Sequence, residues 1–349
     1  MKKIVISSIR ECVGKTSIIA GFVTAVNKRF GYIKPLGDRL VYYRKKSWDY
    51  DSHTIVKLLG YEGDLESHSE NITIGFDHSK LRYMYDEEGI KETLSEMVGD
   101  IGRDNDVLFI EGGRDLSFGT SAHLDPLSIS KYIDGKVIII ISGDSDMIID
   151  DIQFINKYLN LDDINFGGIV INKVNNIDEF YNNYIPLIDK IGIDVFGVLP
   201  YKEELTYFNV GFLAESLFAK VISGEKGLKN IVKNILIGTM STTNSMMSHS
   251  ITRDNQLMIT SGDRNDIILN SIKSGNIGII LTNNIVPSQN IISKAAEHNI
   301  PLLLVPMDTY QVSKRIDEME ALLTSESNDR IKLLAQLIEK NVNIDNFLR

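Results

Sequence analysis

Cysteine is almost missing from this sequence: Cys12 is the single one in 349 residues. No disulfide can close within the chain, and a four-cysteine zinc site is excluded. Proline is scarce at 7 residues and glycine ordinary at 26, which excludes collagen-like and low-complexity chains. His53, His68, His78 and His123 are scattered without an i, i+4 pair on one helix face, so packed or solvated histidines are expected rather than zinc ligands. No apolar run approaches the roughly 18 residues of a membrane span, and Val137–Ile141 is only strand-sized. The opening apolar stretch is too short for a secretory signal before Arg10 and Glu11 interrupt it. Positive charge is in deficit, with Lys+Arg 37 against Asp+Glu 47 for a net −10. Neither a nucleic-acid nor a membrane partner is therefore expected. With 43% hydrophobic and 24% charged residues, the composition points to an acidic globular protein of the cytoplasm.

What is present is an alternation of two periods. Short β-branched runs at Lys3–Ser7, Val107–Ile110, Val137–Ile141, Gly168–Ile171 and Val195–Leu199 are separated by helical stretches such as Lys15–Lys28 and Met147–Leu159. Continuous apolar strands with helices between them predict a parallel sheet covered on both faces. After Pro200 the pattern pauses, with a helix expected over Phe212–Ile222 and glycine punctuation at Gly224 and Gly227. It then restarts with strands at Asn234–Gly238, Gln256–Thr260, Ile277–Leu281 and Leu302–Val305. Helices are expected over Asp266–Lys273 and Gln289–His298, and a C-terminal one over Arg330–Glu339. The chain thus divides into an α/β domain over 1–205 and a smaller α/β domain over 206–349.

The chemistry concentrates at the first strand–helix junction. Ser7-Ser8-Ile9-Arg10-Glu11-Cys12-Val13-Gly14-Lys15-Thr16 is a strand running into a loop that ends Gly-Lys-Thr as a helix opens. That context suits a phosphate loop: N–H groups at the helix start attract phosphate, the lysine bridges its outer oxygens, and the threonine hydroxyl completes the shell of Mg²⁺. The usual first glycine is replaced by Ile9. An ordinary helix start is the alternative. Val107–Glu111 followed by Gly112-Gly113 ends a buried strand on an acid at the sheet edge where ligands bind, or simply on a solvated strand end. Asp49-Tyr50-Asp51 precedes a helical stretch, where an acid usually serves as a cap. Lys34, at the end of a second short strand, would by itself be a surface charge.

Taken together, Gly14-Lys15-Thr16, Lys34-Pro35, Asp51 and Glu111-Gly112-Gly113 resemble the dethiobiotin synthetase group of P-loop proteins. The resemblance implies a P-loop parallel sheet with ATP and Mg²⁺ as cofactors. In that group the segment from Val13 to Thr16 cradles phosphate, Lys15 and Lys34 act on the transferred phosphate or an acidic acceptor, and Thr16, Asp51 and Glu111 hold the metal. Asn172 matches an asparagine that contacts the base, or is a polar strand end. The departures are Ser8 in place of the group's first glycine, and Arg10 and Glu11 at positions that help bind its diamine-derived substrate. An acid at Glu11 repels an anionic acceptor unless Arg10 or a metal offsets it. Dethiobiotin synthesis itself is therefore not expected.

The second half is similar to the DRTGG domain, through Met258–Ile268, which contains Ser261-Gly262-Asp263-Arg264, Ile279–Asn284 and Pro301–Tyr310. Gly262, Asp263 and Arg264 could form an anion pocket. Alternatively, Asp263 caps the helix and Arg264 makes an internal ion pair. A P-loop domain followed by this module resembles the N-terminal, non-catalytic region of long phosphate acetyltransferases, so phosphotransacetylation is not expected of these residues. Three readings follow: a regulatory nucleotide-binding protein that senses a small metabolite with slow or no hydrolysis; an ATP-dependent ligase or synthetase acting on a small carboxylate or amine; and a structural protein with a vestigial loop. By analogy with related P-loop folds, a homodimer is expected.

Overall fold

The computed structural model describes residues 1–43, 46–60, 72–238, 254–319, 321–323 and 328–349. The first compact unit begins with β1 (Lys2–Ser8), α1 (Lys15–Ala25), β2 (Phe30–Ile33), a hairpin of β3 (Leu40–Tyr43) and β4 (Lys46–Asp49), and α2 (Tyr50–Leu58). It continues through α3 (His78–Met84), α4 (Glu87–Gly102), β5 (Val107–Glu111), α5 (Pro126–Ile133), β6 (Lys136–Ser142) and α6 (Ser145–Tyr158), then β7 (Phe166–Val174), α7 (Ile177–Asn183), α8 (Ile185–Ile191) and β8 (Val195–Pro200).

Six strands form one sheet in the order β2-β5-β1-β6-β7-β8, parallel at every pairing. The β-branched runs explain this. Val137, Ile139 and Ile141 of β6 join Val5, Leu108 and Ile110 in one core cluster, while the alternate residues Ile138, Ile140, Ile4 and Phe109 are equally buried. A strand apolar on both sides must be covered on both sides, which parallel crossovers achieve with helices. The chain leaves β1 toward β2 on one side and crosses to β6 on the other, opening a crevice at the carboxyl end of β1. Register fixes what meets there, since Ile6 lies opposite Glu111 and Ser8 opposite Ile140.

The second unit spans Glu203–Ala321. It contains β9 (Phe208–Asn209), α9 (Val210–Ser216), β10 (Lys220–Ser223), β11 (Ile231–Val232), β12 (Asn234–Ile237), β13 (Gln256–Ser261), α10 (Asn265–Lys273), β14 (Gly278–Thr282), α11 (Gln289–Glu297), β15 (Leu302–Leu304) and α12 (Thr309–Asp317). Its main sheet runs β10-β15-β14-β13-β12, with only β10 antiparallel. Ile259, Ile280 and Leu303 face one cluster, and Met258, Ile279, Leu281 and Leu302 the other. The helix expected over Phe212–Ile222 is shorter. It ends at Ser216, Phe218 turns into the left-handed region at φ 51°, and Lys220–Ser223 becomes a strand paired with β15. Sheet pairing outweighs local helical pattern there.

The last helices, α13 (Asn328–Asn341) and α14 (Ile344–Leu348), return to the first unit. The 206–349 boundary is corrected accordingly: Leu322–Arg349 belongs with Met1–Lys202. Phe347 stacks on Phe22 of α1 with ring centroids 4.1 Å apart and reaches Phe109 and Phe196. This aromatic contact across more than 300 residues leaves no periodic signal in the sequence. No helix among the described residues is long and apolar enough to cross a membrane.

Candidate functional site: a phosphate loop facing buried carboxylates

The loop between β1 and α1 turns through two left-handed residues, Cys12 at φ 60° and Gly14 at φ 94°. Gly14 is required twice over. Its φ is one that side chains resist, and a Cβ would come within 2.6 Å of the Asn172 amide nitrogen. That nitrogen donates to the Val13 carbonyl at 2.8 Å, and Lys173 donates to the Cys12 carbonyl. The Asn172 amide is thus engaged with the loop itself.

Lys15 opens α1 and is buried, 9% exposed. Its ammonium donates at 2.9 Å to the Ser8 hydroxyl and at 2.9 Å to the Arg114 carbonyl, both neutral acceptors. Burial pushes the ammonium below its ordinary pKa, with Glu111 pulling the other way. Thr16, the next residue, donates to Glu111 Oε1 at 2.7 Å, and Tyr32 donates to Glu111 Oε2 at 2.8 Å. Glu111 is buried at the end of β5, and burial lifts its carboxyl to about 7.

Lys34 is a correction to the surface-charge alternative, because it is 1% exposed. The chain bends after Pro35, bringing Asp38 back to the ammonium, while the hairpin delivers Asp49 and Asp51 from the start of α2. Lys34 Nζ lies 2.7 Å from Asp38, 3.2 Å from Asp49 and 2.7 Å from Asp51. Burial works against the charge, but Asp51, Asp49, Glu111 and Asp38 outweigh it and hold Lys34 well above its ordinary value. Asp51 is pulled down despite its burial by Lys34, with hydrogen bonds from Lys34 and Thr16 adding to the effect. Burial keeps Asp49 above the usual carboxylate range. Asp49 is also the cap of α2, accepting from the Asp51 and Ser52 amides.

The structure therefore brings Lys15, Thr16, Lys34, Asp51 and Glu111 together, and adds Asp38, Asp49 and Tyr32. Carboxylate oxygens of Asp38, Asp49 and Asp51 lie within 4.8 Å of one another. Counting Glu111, four carboxyls face two ammonium groups, an excess of two negative charges when all are ionised. Hard oxygen donors with excess negative charge fit a divalent cation such as Mg²⁺, and the Gly14–Thr16 turn fits phosphate. Sequence reading missed Asp38 because an isolated loop acid carries no pattern. Arg10 and Glu11 do not face each other: Arg10 forks onto Asp151 and Glu11 lies 3.9 Å from Arg114. Among the histidines, His68 lies outside the described residues.

In the second unit, Gly262, Asp263 and Arg264 form the turn from β13 into α10. A Cβ on Gly262 would lie 1.7 Å from the Ile285 carbonyl, so this glycine permits close backbone packing. The side-chain cap expected of Asp263 is not formed; its carbonyl accepts from the Asn265 amide instead. Arg264 does make the internal pair, 3.5 Å from Asp266.

Residues 2–208 match the family model described as AAA domain, and residues 212–319 match the DRTGG domain. The phosphate acetyltransferase of Synechocystis sp. is 25% identical over 236 residues, covering 63% of this chain and 33% of that protein. The phosphate acetyltransferase of Nitratidesulfovibrio vulgaris is 26% identical over 155 residues, covering 42% and 22%. The chain thus spans a third or less of the length of these curated relatives. A solved structure of the CBS and DRTGG domains of the regulatory region of Clostridium perfringens pyrophosphatase, complexed with its activator diadenosine tetraphosphate, aligns at 14% identity and TM-score 0.27, over 46% of this chain and 82% of that one. A Borrelia burgdorferi plasmid partition protein aligns at 16% identity and TM-score 0.32, over 58% and 91%. The chain belongs to the AAA domain family, and its AAA-then-DRTGG order fits the N-terminal region of long phosphate acetyltransferases.

Proposed function

We propose that the first unit binds ATP with Mg²⁺ at the Val13–Thr16 turn, and that the chain is a regulatory, metabolite-sensing protein with slow or no hydrolysis. The observation that carries this is Lys15, a buried ammonium whose hydrogen-bond partners, Ser8 and the Arg114 carbonyl, are uncharged. A phosphate oxygen is a stronger partner for it than either. Thr16, Asp51 and Glu111 would hold the cation, whose charge offsets that of the phosphates. Asn172 would serve the nucleotide by holding Val13 in place. The regulatory reading is favoured over the ligase because Lys34, the cation that would meet an anionic acceptor, is engaged by Asp38, Asp49 and Asp51. The second unit would be the sensing module, with Gly262, Asp263 and Arg264 marking the sheet edge where its small ligand enters.

Titration calorimetry with Mg-ATP tests the site. The wild type is expected to take up nucleotide, and Lys15→Ala to bind it at least about 100-fold more weakly, since a charge-assisted contact in a dry site is lost. Equal weak heats for both proteins would overturn the nucleotide site. Steady release of a modified carboxylate or amine product would overturn the regulatory reading.

A further inference from the structure

Ser8 and Ile9 stand where a phosphate loop commonly has glycine, but the left-handed turns of this loop fall at Cys12 and Gly14, and its shape is held by ties to its backbone and side chains. Three ties are made to its carbonyls: Ser8 donates to Arg10 at 2.7 Å, Asn172 to Val13 and Lys173 to Cys12. A fourth is ionic and comes from a different layer. Arg10 Nε donates to Asp151 Oδ2 at 2.9 Å and a terminal nitrogen to Oδ1 at 2.9 Å, a two-pronged grip that fixes direction as well as distance.

Asp151 is out of place on local grounds. It is 4% exposed and sits in the inward row of α6 with Ile148, Ile152 and Ile155. An apolar residue would complete that row, and a carboxylate there loses water that must be replaced. Arg10 replaces it, although the arginine side chain is itself 49% exposed. A buried acid whose geometry is spent on one loop residue acts on the loop.

We propose that Asp151 is a positioning residue for the phosphate loop: through Arg10 it holds the Ile9–Gly14 backbone in the shape that receives phosphate. This rests on the nucleotide reading above. Cys12 lies inside the loop, is exposed and is the sole cysteine, so its reaction rate with a disulfide reagent reports loop order whether or not nucleotide binds.

The test uses the full chain with Asp151→Ala and Asp151→Leu, each alone and with Arg10→Ala. Asp151→Leu is included because it completes the apolar row and keeps the fold. Both single variants are expected to label at Cys12 faster and to bind Mg-ATP about tenfold more weakly, as the competent loop population falls, while Asp151→Leu melts no lower than wild type. Neither change should add to the effect of Arg10→Ala. Unchanged labelling or unchanged affinity in Asp151→Leu overturns the proposal, as does an equal loss when Arg10 is already absent. A wild type that binds no nucleotide defeats the reading of the site, and the labelling rates then decide whether Asp151 holds the loop.

Discussion

The two units each end parallel strands on a polar edge, yet the chemistry differs. At the edge of β1 and β5, Lys15, Lys34, Asp49, Asp51 and Glu111 are all buried and charged or titratable. At the edge of β13 and β14 the buried polar groups are hydroxyls: Thr260 reaches the Gly238 carbonyl at 3.3 Å, and Thr282 lies 3.2 Å from the Thr309 hydroxyl. These hydroxyls are met by carbonyls and by one another and leave no net charge. Buried ammonium and carboxyl groups in unequal number leave a charge imbalance that an ionic ligand can correct. An all-parallel six-stranded sheet thus gathers unequal numbers of buried cationic and acidic groups at its edge, and a mixed five-stranded sheet gathers hydroxyls.

The sharpest way to break this contrast is to remove a cation from the first edge. Lys34→Met leaves Asp38, Asp49 and Asp51 facing one another without their counter-charge, and is expected to cost about 3–5 kcal/mol. Denaturant unfolding measures it, and adding Asp38→Asn, which removes one of the three carboxylates around Lys34, should recover part of the loss. A variant as stable as wild type would mean that the charges are solvated and the contrast is false.

A smaller effect comes from Glu111. Its folded carboxyl titrates at about 7, above the ordinary 4.5, so the folded chain holds a proton that the unfolded chain has released. Stability from this group is full below about 4.5 and is lost as pH rises through about 7. In a chelator, the melting temperature of wild type should fall relative to Glu111→Gln between pH 5 and 8 (about the window set by those two values). Parallel curves would show that burial does not govern this acid.

The smallest effect is expected at the second edge. Arg264→Ala breaks a partly exposed pair with Asp266, and should change stability by less than about 1 kcal/mol. A loss as large as that of Lys34→Met would erase the difference between the units.

Much of the fold was legible because its cause is periodic. Short β-branched runs such as Val137–Ile141 and Val107–Ile110 read as strands buried on both sides, by their length and the helical stretches around them, and Gly14-Lys15-Thr16 at the first junction located the loop. The residues that folding gathers into the candidate site were legible where a motif carried them, at Lys15, Thr16, Lys34, Asp51 and Glu111. Asp38 and Asp151 were not legible. Each is one acid whose partner is set by a bend or by a neighbouring layer.

Local order along the chain, which residues alternate and where glycine must stand, is written in the amino acids themselves, because backbone sterics and apolar burial act over a few residues. Which charges are buried together was decided only by folding. Lys34 taken by itself reads as a surface charge and is 1% exposed, and Phe347, more than 300 residues away along the chain, sits on Phe22. Electrostatic environment depends on what the remainder of the chain places within a few ångströms, and no window of sequence contains that.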